Sequence, residues 1–207
     1  MTKFPVLPKA DLTPEQRQLW DTLTLGARGF YTGGAEAQRL PDLYNAWLQF
    51  PEFGQAMLAL ADALRAKSEL VGKLRELVVL TTSARLGARV EFDFHVPFAK
   101  NEGLSDALVD AIGRGAQPPF AEDSERVVYE AVIQLLRNAA LTECTREEVV
   151  SMIGFPGLMQ LIAAVSLYVV TAYTTNVARV KLAEDFAADP EELKQFFAGK
   201  KIADNQS

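Results

Sequence analysis

Apolar side chains recur every three or four residues along most of the chain, and no segment alternates cleanly between apolar and polar, so the sequence predicts an all-α protein. Thr13-Pro14-Glu15-Gln16 has the form of a helix start. Thr13 caps, Pro14 suits the first helical position and Gln16 closes a capping box. That helix is expected to reach about Leu25. Gly26, Gly29, Gly33 and Gly34 then predict a flexible loop around Phe30 and Tyr31. A short helix over 41–50 aligns Leu43, Trp47 and Phe50. Pro51 opens another, which carries Phe53, Met57, Leu60, Ala61 and Leu64 on one face.

Two strong helices follow, one over 70–86 stopped by Gly87, the other over 88–101 stopped by Gly103. Ser105 caps a short helix to about Arg114, and a further helix runs from Asp123 or Ser124 to Arg137. Thr145 with Glu148 predicts a capping box, and Gly154 ends that helix. Pro156 opens a long apolar helix to about Leu182. Asp189-Pro190-Glu191-Glu192 starts a last one that fades into a polar tail. No charged residue lies between Glu148 and Arg179. The run is long enough to cross a bilayer, but Gly154, Pro156, Gly157, Gln160 and Asn176 interrupt it. It reads instead as a helix buried on all sides, partly by a neighbouring subunit, with Ala163, Ala164 and Ala172 allowing close contact. The chain divides into an N-terminal helical arm and loop (1–50), a helical core (51–182) and a charged C-terminal helix and tail (183–207).

Composition narrows the function. The 207 residues are 49% hydrophobic and 23% charged, which supports a packed core rather than disorder. The net charge of −6 argues against binding nucleic acid. One cysteine, Cys144, permits neither an internal disulfide nor a two-thiol redox couple, and points to a reducing, cytoplasmic setting. One histidine, His95, excludes a multi-histidine metal site, and no metal is expected. The N-terminus shows no signal-peptide apolar core, and no membrane role is expected.

The candidate chemistry sits in Glu91-Phe92-Asp93-Phe94-His95-Val96-Pro97-Phe98. Glu91 and His95 are four residues apart and share a helix face, which Phe94 and Phe98 extend. A carboxylate and an imidazole among aromatic rings suit general acid–base work. A surface ion pair has the same spacing. Tyr168 is a polar group on the apolar helix, read as core hydrogen bonding or pocket lining. The Gly29–Gly34 loop is a connector or a lid that brings Tyr31 to a substrate. Arg75, Arg85 and Arg89 read as solvated helix charges, or as partners for an anionic substrate. Pro97 is expected to kink the helix beside His95.

Arg75-Glu76-Leu77-Val78-Val79-Leu80, with the 91–99 run and Gly103-Leu104-Ser105, resembles carboxymuconolactone decarboxylase-like proteins of the alkylhydroperoxidase D-like fold. The resemblance spans about 51–182 and implies an all-α bundle assembled as a homotrimer or homohexamer. The redox branch of that fold uses a Glu, then Cys-x-x-Cys, then a His. Glu76 matches the Glu and His95 the His, whereas Ala88 and Glu91 stand where the two cysteines would be. Dithiol peroxidase chemistry is therefore absent from the expectation. The resemblance implies a cofactor-free decarboxylating lyase acting on a small cyclic carboxylate or lactone from aromatic breakdown. In it His95, Glu76 and Glu91 are catalytic; Phe94, Phe98 and Tyr168, with Tyr31 from the glycine loop, are expected to line the substrate. A hydrolase, hydratase or isomerase using the same pocket, or an oligomeric binder of a small ligand, are the alternatives.

Overall fold

Thr13 begins the first long helix as its side chain requires: its Oγ1 accepts from Gln16 N–H while the Gln16 side chain accepts from Thr13 N–H. The computed structural model describes residues 4–66, 68–70 and 72–180, and among them every regular element is helical. The longer helices are α1 (Pro14–Thr24), α2 (Gly29–Thr32), α3 (Asp42–Trp47), α4 (Pro51–Ala66), α5 (Gly72–Arg85), α6 (Arg89–Asn101), α7 (Asp106–Gly113), α8 (Asp123–Asn138) and α9 (Glu143–Ala178). They form two compact units: described residues 4–65 with 177–180, and residues 66–176.

In the first unit α1, α3 and α4 pack around Leu19, Trp20, Leu23, Trp47, Met57 and Leu58. The predicted glycine loop is more ordered than expected. Residues 29–32 close a helical turn, and Gly33 ends it with a left-handed φ of 93°. Gly54 is required by close packing, because a Cβ there would stand 2.5 Å from Leu19 Cδ2 and 3.2 Å from Trp47 Cβ. The arm before α1 is tied down by Asn45, whose side chain accepts from Leu7 N–H and donates to the Pro5 carbonyl.

In the second unit α5 is enclosed: every residue from Leu74 to Ser83 is buried. It packs on α6, α7 and α8, which explains why no single apolar face dominates its sequence. Lys73 ties α5 to α8 through Glu122 and the buried Glu125, at 2.9 and 2.7 Å. Arg126 ties α8 to α9 through Glu148 at 2.9 Å. The α6 helix runs through Pro97 to Asn101.

The α9 region departs from expectation at its cap, at its C-terminal end and in its burial. Its start is capped by Thr142, whose Oγ1 accepts from Thr145 N–H, and Thr145 Oγ1 instead bonds Gln134 and Thr142. The break expected at Gly154 is present: two helical stretches meet there, at φ 67°, ψ 177°. The helix ends at Ala178, with 179–180 non-helical; residues 181–182 of the predicted extension and the last helix lie outside the described residues. It is also not buried on all sides. Leu161, Ala164, Leu167, Tyr168, Thr171 and Thr175 are buried, while Phe155, Met159 and Tyr173 are exposed. By length and composition α9 is apolar enough to cross a bilayer.

Candidate functional site

The site lies across the α5–α6 hairpin of the second unit. Gly87, at φ 64°, lets the chain reverse, and Ala88 N–H donates to the Ser83 carbonyl at 2.8 Å. Folding back brings together side chains 19 positions apart: His95 Nδ1 lies 2.8 Å from Glu76 Oε2. Glu76 is 1% exposed and His95 6%. An ionised carboxylate only accepts, so this bond holds the imidazole proton on Nδ1. Nε2 is then the nitrogen left to exchange a proton with a substrate. The second oxygen of Glu76 lies 3.7 Å from Arg75 Nε, so the carboxylate is flanked by an imidazole and a guanidinium. Arg75 is buried there rather than solvated.

Three aromatic rings stand against the imidazole. Phe94 is 5.4 Å away, Phe98 5.3 Å, and Tyr168, edge-on from the inner face of α9, 5.3 Å. Phe94 and Phe98 are in turn 5.2 Å apart. Such walls exclude water and strengthen the hydrogen bond they enclose.

Glu91 is buried one helical turn before His95 on α6. Among the described residues its carboxyl has no hydrogen-bond partner. Burial pushes that carboxyl above its ordinary value of 4.5, and the charge of His95 pulls it partly back. The structure therefore bonds two members of the expected trio and sets the third beside them as a weakened acid.

The other sequence candidates are placed as follows. Tyr31 lies in the first unit, its hydroxyl 2.8 Å from that of Tyr44 and the two rings stacked at 6.2 Å. Arg89 is solvated and pairs with Asp93 at 2.7 Å. Cys144 is exposed at the start of α9. An open groove of roughly 520 Å³ between α8 and α9, lined by Asp123, Glu147 and Glu148 among others, contains none of the expected site residues. Among the described residues no three His, Cys, Asp or Glu side chains gather as metal ligands. Sequence reasoning undervalued Arg75. Its one signal was adjacency to Glu76, and periodicity could not show that α5 is enclosed.

Residues 51–134, from α4 into α8, match the model of the carboxymuconolactone decarboxylase family. That stretch is similar to the carboxymuconolactone decarboxylase family. That matched stretch holds Glu76, Glu91 and His95, and Tyr31 and Tyr168 fall outside it. No curated protein matches the chain.

Solved structures share its architecture. An alkylhydroperoxidase AhpD core, an uncharacterized peroxidase-related protein from Ralstonia eutropha JMP134, superposes with a TM-score of 0.68 at 16% identity, over 88% of this chain and 93% of that one. A peroxidase-related protein from Silicibacter sp. TM1040 gives 0.68 at 16%, over 91% and 95%. The debrominase Bmp8 gives 0.66 at 13%, over 95% and 98%. At these identities they establish the fold. The chain thus has an alkylhydroperoxidase D-like helical fold, within which residues 51–134 are similar to the carboxymuconolactone decarboxylase family.

Proposed function

We propose that the protein is a cofactor-free acid–base enzyme of the decarboxylating lyase type, acting on a small cyclic carboxylate or lactone of the kind formed in aromatic breakdown. The observation that carries this reading is the buried bond between Glu76 and His95, walled by Phe94, Phe98 and Tyr168. An oriented imidazole in dry surroundings is suited to moving one proton. The rings suit a flat, compact substrate. A protein of the same fold, the debrominase Bmp8, was crystallised as a Cys-to-Ala variant with 2,3,4-tribromopyrrole, which is such a ring. With one cysteine in the chain, a dithiol peroxidase has no chemistry to run on. The single, exposed, unpaired thiol also supports a cytoplasmic setting.

The proposed step balances without an outside oxidant or reductant. The substrate carboxylate leaves as carbon dioxide, and its bonding electrons remain on the ring as an enolate-like carbanion. His95 Nε2–H gives its proton to that carbon and becomes neutral, and water reprotonates it. Glu76 holds Nδ1–H and stabilises the cationic imidazole. Glu91, pushed by burial toward its neutral form, donates a hydrogen bond to the developing oxyanion.

A panel of carboxylated lactones, assayed for carbon dioxide release in D2O, tests the reading. Turnover with one deuterium placed on carbon, lowered ~10²–10⁴-fold by His95→Gln, is the expected result. Ring opening without carbon dioxide would move the assignment to a hydrolase. Full activity in His95→Gln would end it.

A further inference from the structure

Hydroxyls inside the helices of this chain commonly bond back to their own backbone. Thr22, Thr24, Ser166, Thr171 and Thr174 each donate to the carbonyl four residues earlier, at 2.8–3.0 Å. Ser83 on α5 does not. It is 0% exposed, and its Oγ has no hydrogen-bond partner among the described residues. Burying such a group without a partner is a cost to the fold and calls for an explanation. Thr81 and Thr82 are unpartnered too. At about 100° per residue, however, they turn to other sides of α5, whereas Ser83, two turns after Glu76, shares the Glu76 face.

That face meets α6. Two rungs fix the register of the hairpin: Glu76 bonds His95, and the Ser83 carbonyl accepts from Ala88 N–H, each at 2.8 Å. Seven residues separate Glu76 from Ser83 on α5, and seven separate Ala88 from His95. Glu91 stands between the rungs. Side chains lean toward the N-terminus of their own helix. In this antiparallel pair Ser83 therefore leans away from the Gly87 turn and Glu91 toward it, so the hydroxyl and the carboxyl converge. A Glu at this third helical position commonly accepts from the capping N–H. Here the Ala88 N–H is given to Ser83, and the Glu91 carboxyl, 7% exposed, has no partner either among the described residues. Ala88, beside both, brings only a methyl group to the space.

We propose that Ser83 Oγ–H and the Glu91 carboxyl together hold the ring carbonyl oxygen of the substrate while His95 Nε2 addresses the carbon that takes the proton. This rests on the acid–base reading above and adds Ser83 to the site as a substrate-binding residue. Each group has a proton to give, the hydroxyl by its nature and the carboxyl because burial pushes it toward its neutral form. The charge of His95 reaches the Glu91 carboxyl, so the imidazole and this pair serve one space. Two donors on one carbonyl oxygen stabilise the charge that gathers there as carbon dioxide leaves.

2(5H)-Furanone is the probe, a five-membered lactone with a carbonyl and no carboxylate to lose. Labelled with ¹³C at that carbonyl, it is followed on the full chain by isotope-edited infrared spectroscopy. The carbonyl stretch should fall in frequency on binding. Ser83→Ala should remove part of that fall and weaken binding about 2–10-fold, the loss of one neutral hydrogen bond. 2,5-Dihydrofuran, the same ring without the carbonyl, should bind both proteins equally. Ser83→Ala should also melt no lower than wild type, because the hydroxyl bonds nothing in the fold and alanine is the better helix former. A variant that melts lower or does not fold shows the hydroxyl serving the fold, and overturns the proposal. So does a furanone that fails to bind, or a carbonyl shift that Ser83→Ala leaves intact, the mark of a hydroxyl bonded to water alone. The lyase reading fails separately. No carbon dioxide from any lactone, with the Ser83-dependent shift intact, removes the decarboxylation and keeps the oxygen subsite; turnover with a Ser83-independent shift does the reverse.

Discussion

Glu76→Ala is the sharpest probe of the buried pair. The substitution removes a carboxylate, 1% exposed, that bonds His95 Nδ1 at 2.8 Å and lies 3.7 Å from Arg75 Nε. Two buried polar groups lose that partner together. Removing one side of a buried ion pair costs about 3–5 kcal/mol. A chain of this size loses roughly 2–4 °C of melting temperature per kcal/mol, so the variant should melt ~6–20 °C lower. Glu76→Gln keeps the volume and an oxygen that accepts from Nδ1–H. It loses only the charge on the bond, ~1 kcal/mol, or about 2–4 °C. Thermal melts followed by circular dichroism measure both. The chain's single histidine makes a second readout simple, because long-range ¹H–¹⁵N spectra contain one imidazole. Wild type should carry the proton on Nδ1, and Glu76→Ala should lose that preference. If Glu76→Ala melts within about 2 °C of wild type and leaves the imidazole spectrum unchanged, the buried bond is not what organises the site.

Three further outcomes follow from the geometry. Glu91 has a folded-state pKa above its ordinary 4.5, so its contribution is present below that pH and is lost as pH rises through the folded value; Glu91→Gln should therefore melt higher than wild type at pH 8, with the gap closing by pH 4. Gly154→Ala forces a side chain onto φ 67°, ψ 177°, a conformation that essentially only glycine adopts, and should lower the melting temperature by ~2–12 °C at a cost of about 1–3 kcal/mol. Lys73→Ala takes the cation from Glu125, which is 2% exposed and keeps only the backbone N–H groups of Ala121 and Glu122; a loss of ~1–3 kcal/mol in denaturant titrations is expected, and an unchanged midpoint would show that those two donors suffice.

What the sequence determined by itself is local. The Thr13–Gln16 capping box, the stops at Gly87 and Gly103, the break at Gly154 and the shared face of Glu91 and His95 all depend on groups within one or two helical turns, so composition and spacing decide them. Local rules still competed at some positions: Thr142 took the cap assigned to Thr145, and residues 29–32 closed a helical turn despite the glycines at and around them. The Glu76–His95 pairing was visible only through the family resemblance, since the two residues sit on different helices and no single-helix periodicity joins them. The enclosure of Arg75 and the one-sided burial of α9 belonged to the tertiary structure alone. Burial is a property of what packs against a helix from elsewhere in the chain, and a helix's own pattern cannot report how many neighbours it meets. An apolar run free of charge reads the same whether its outer face is covered or left to water.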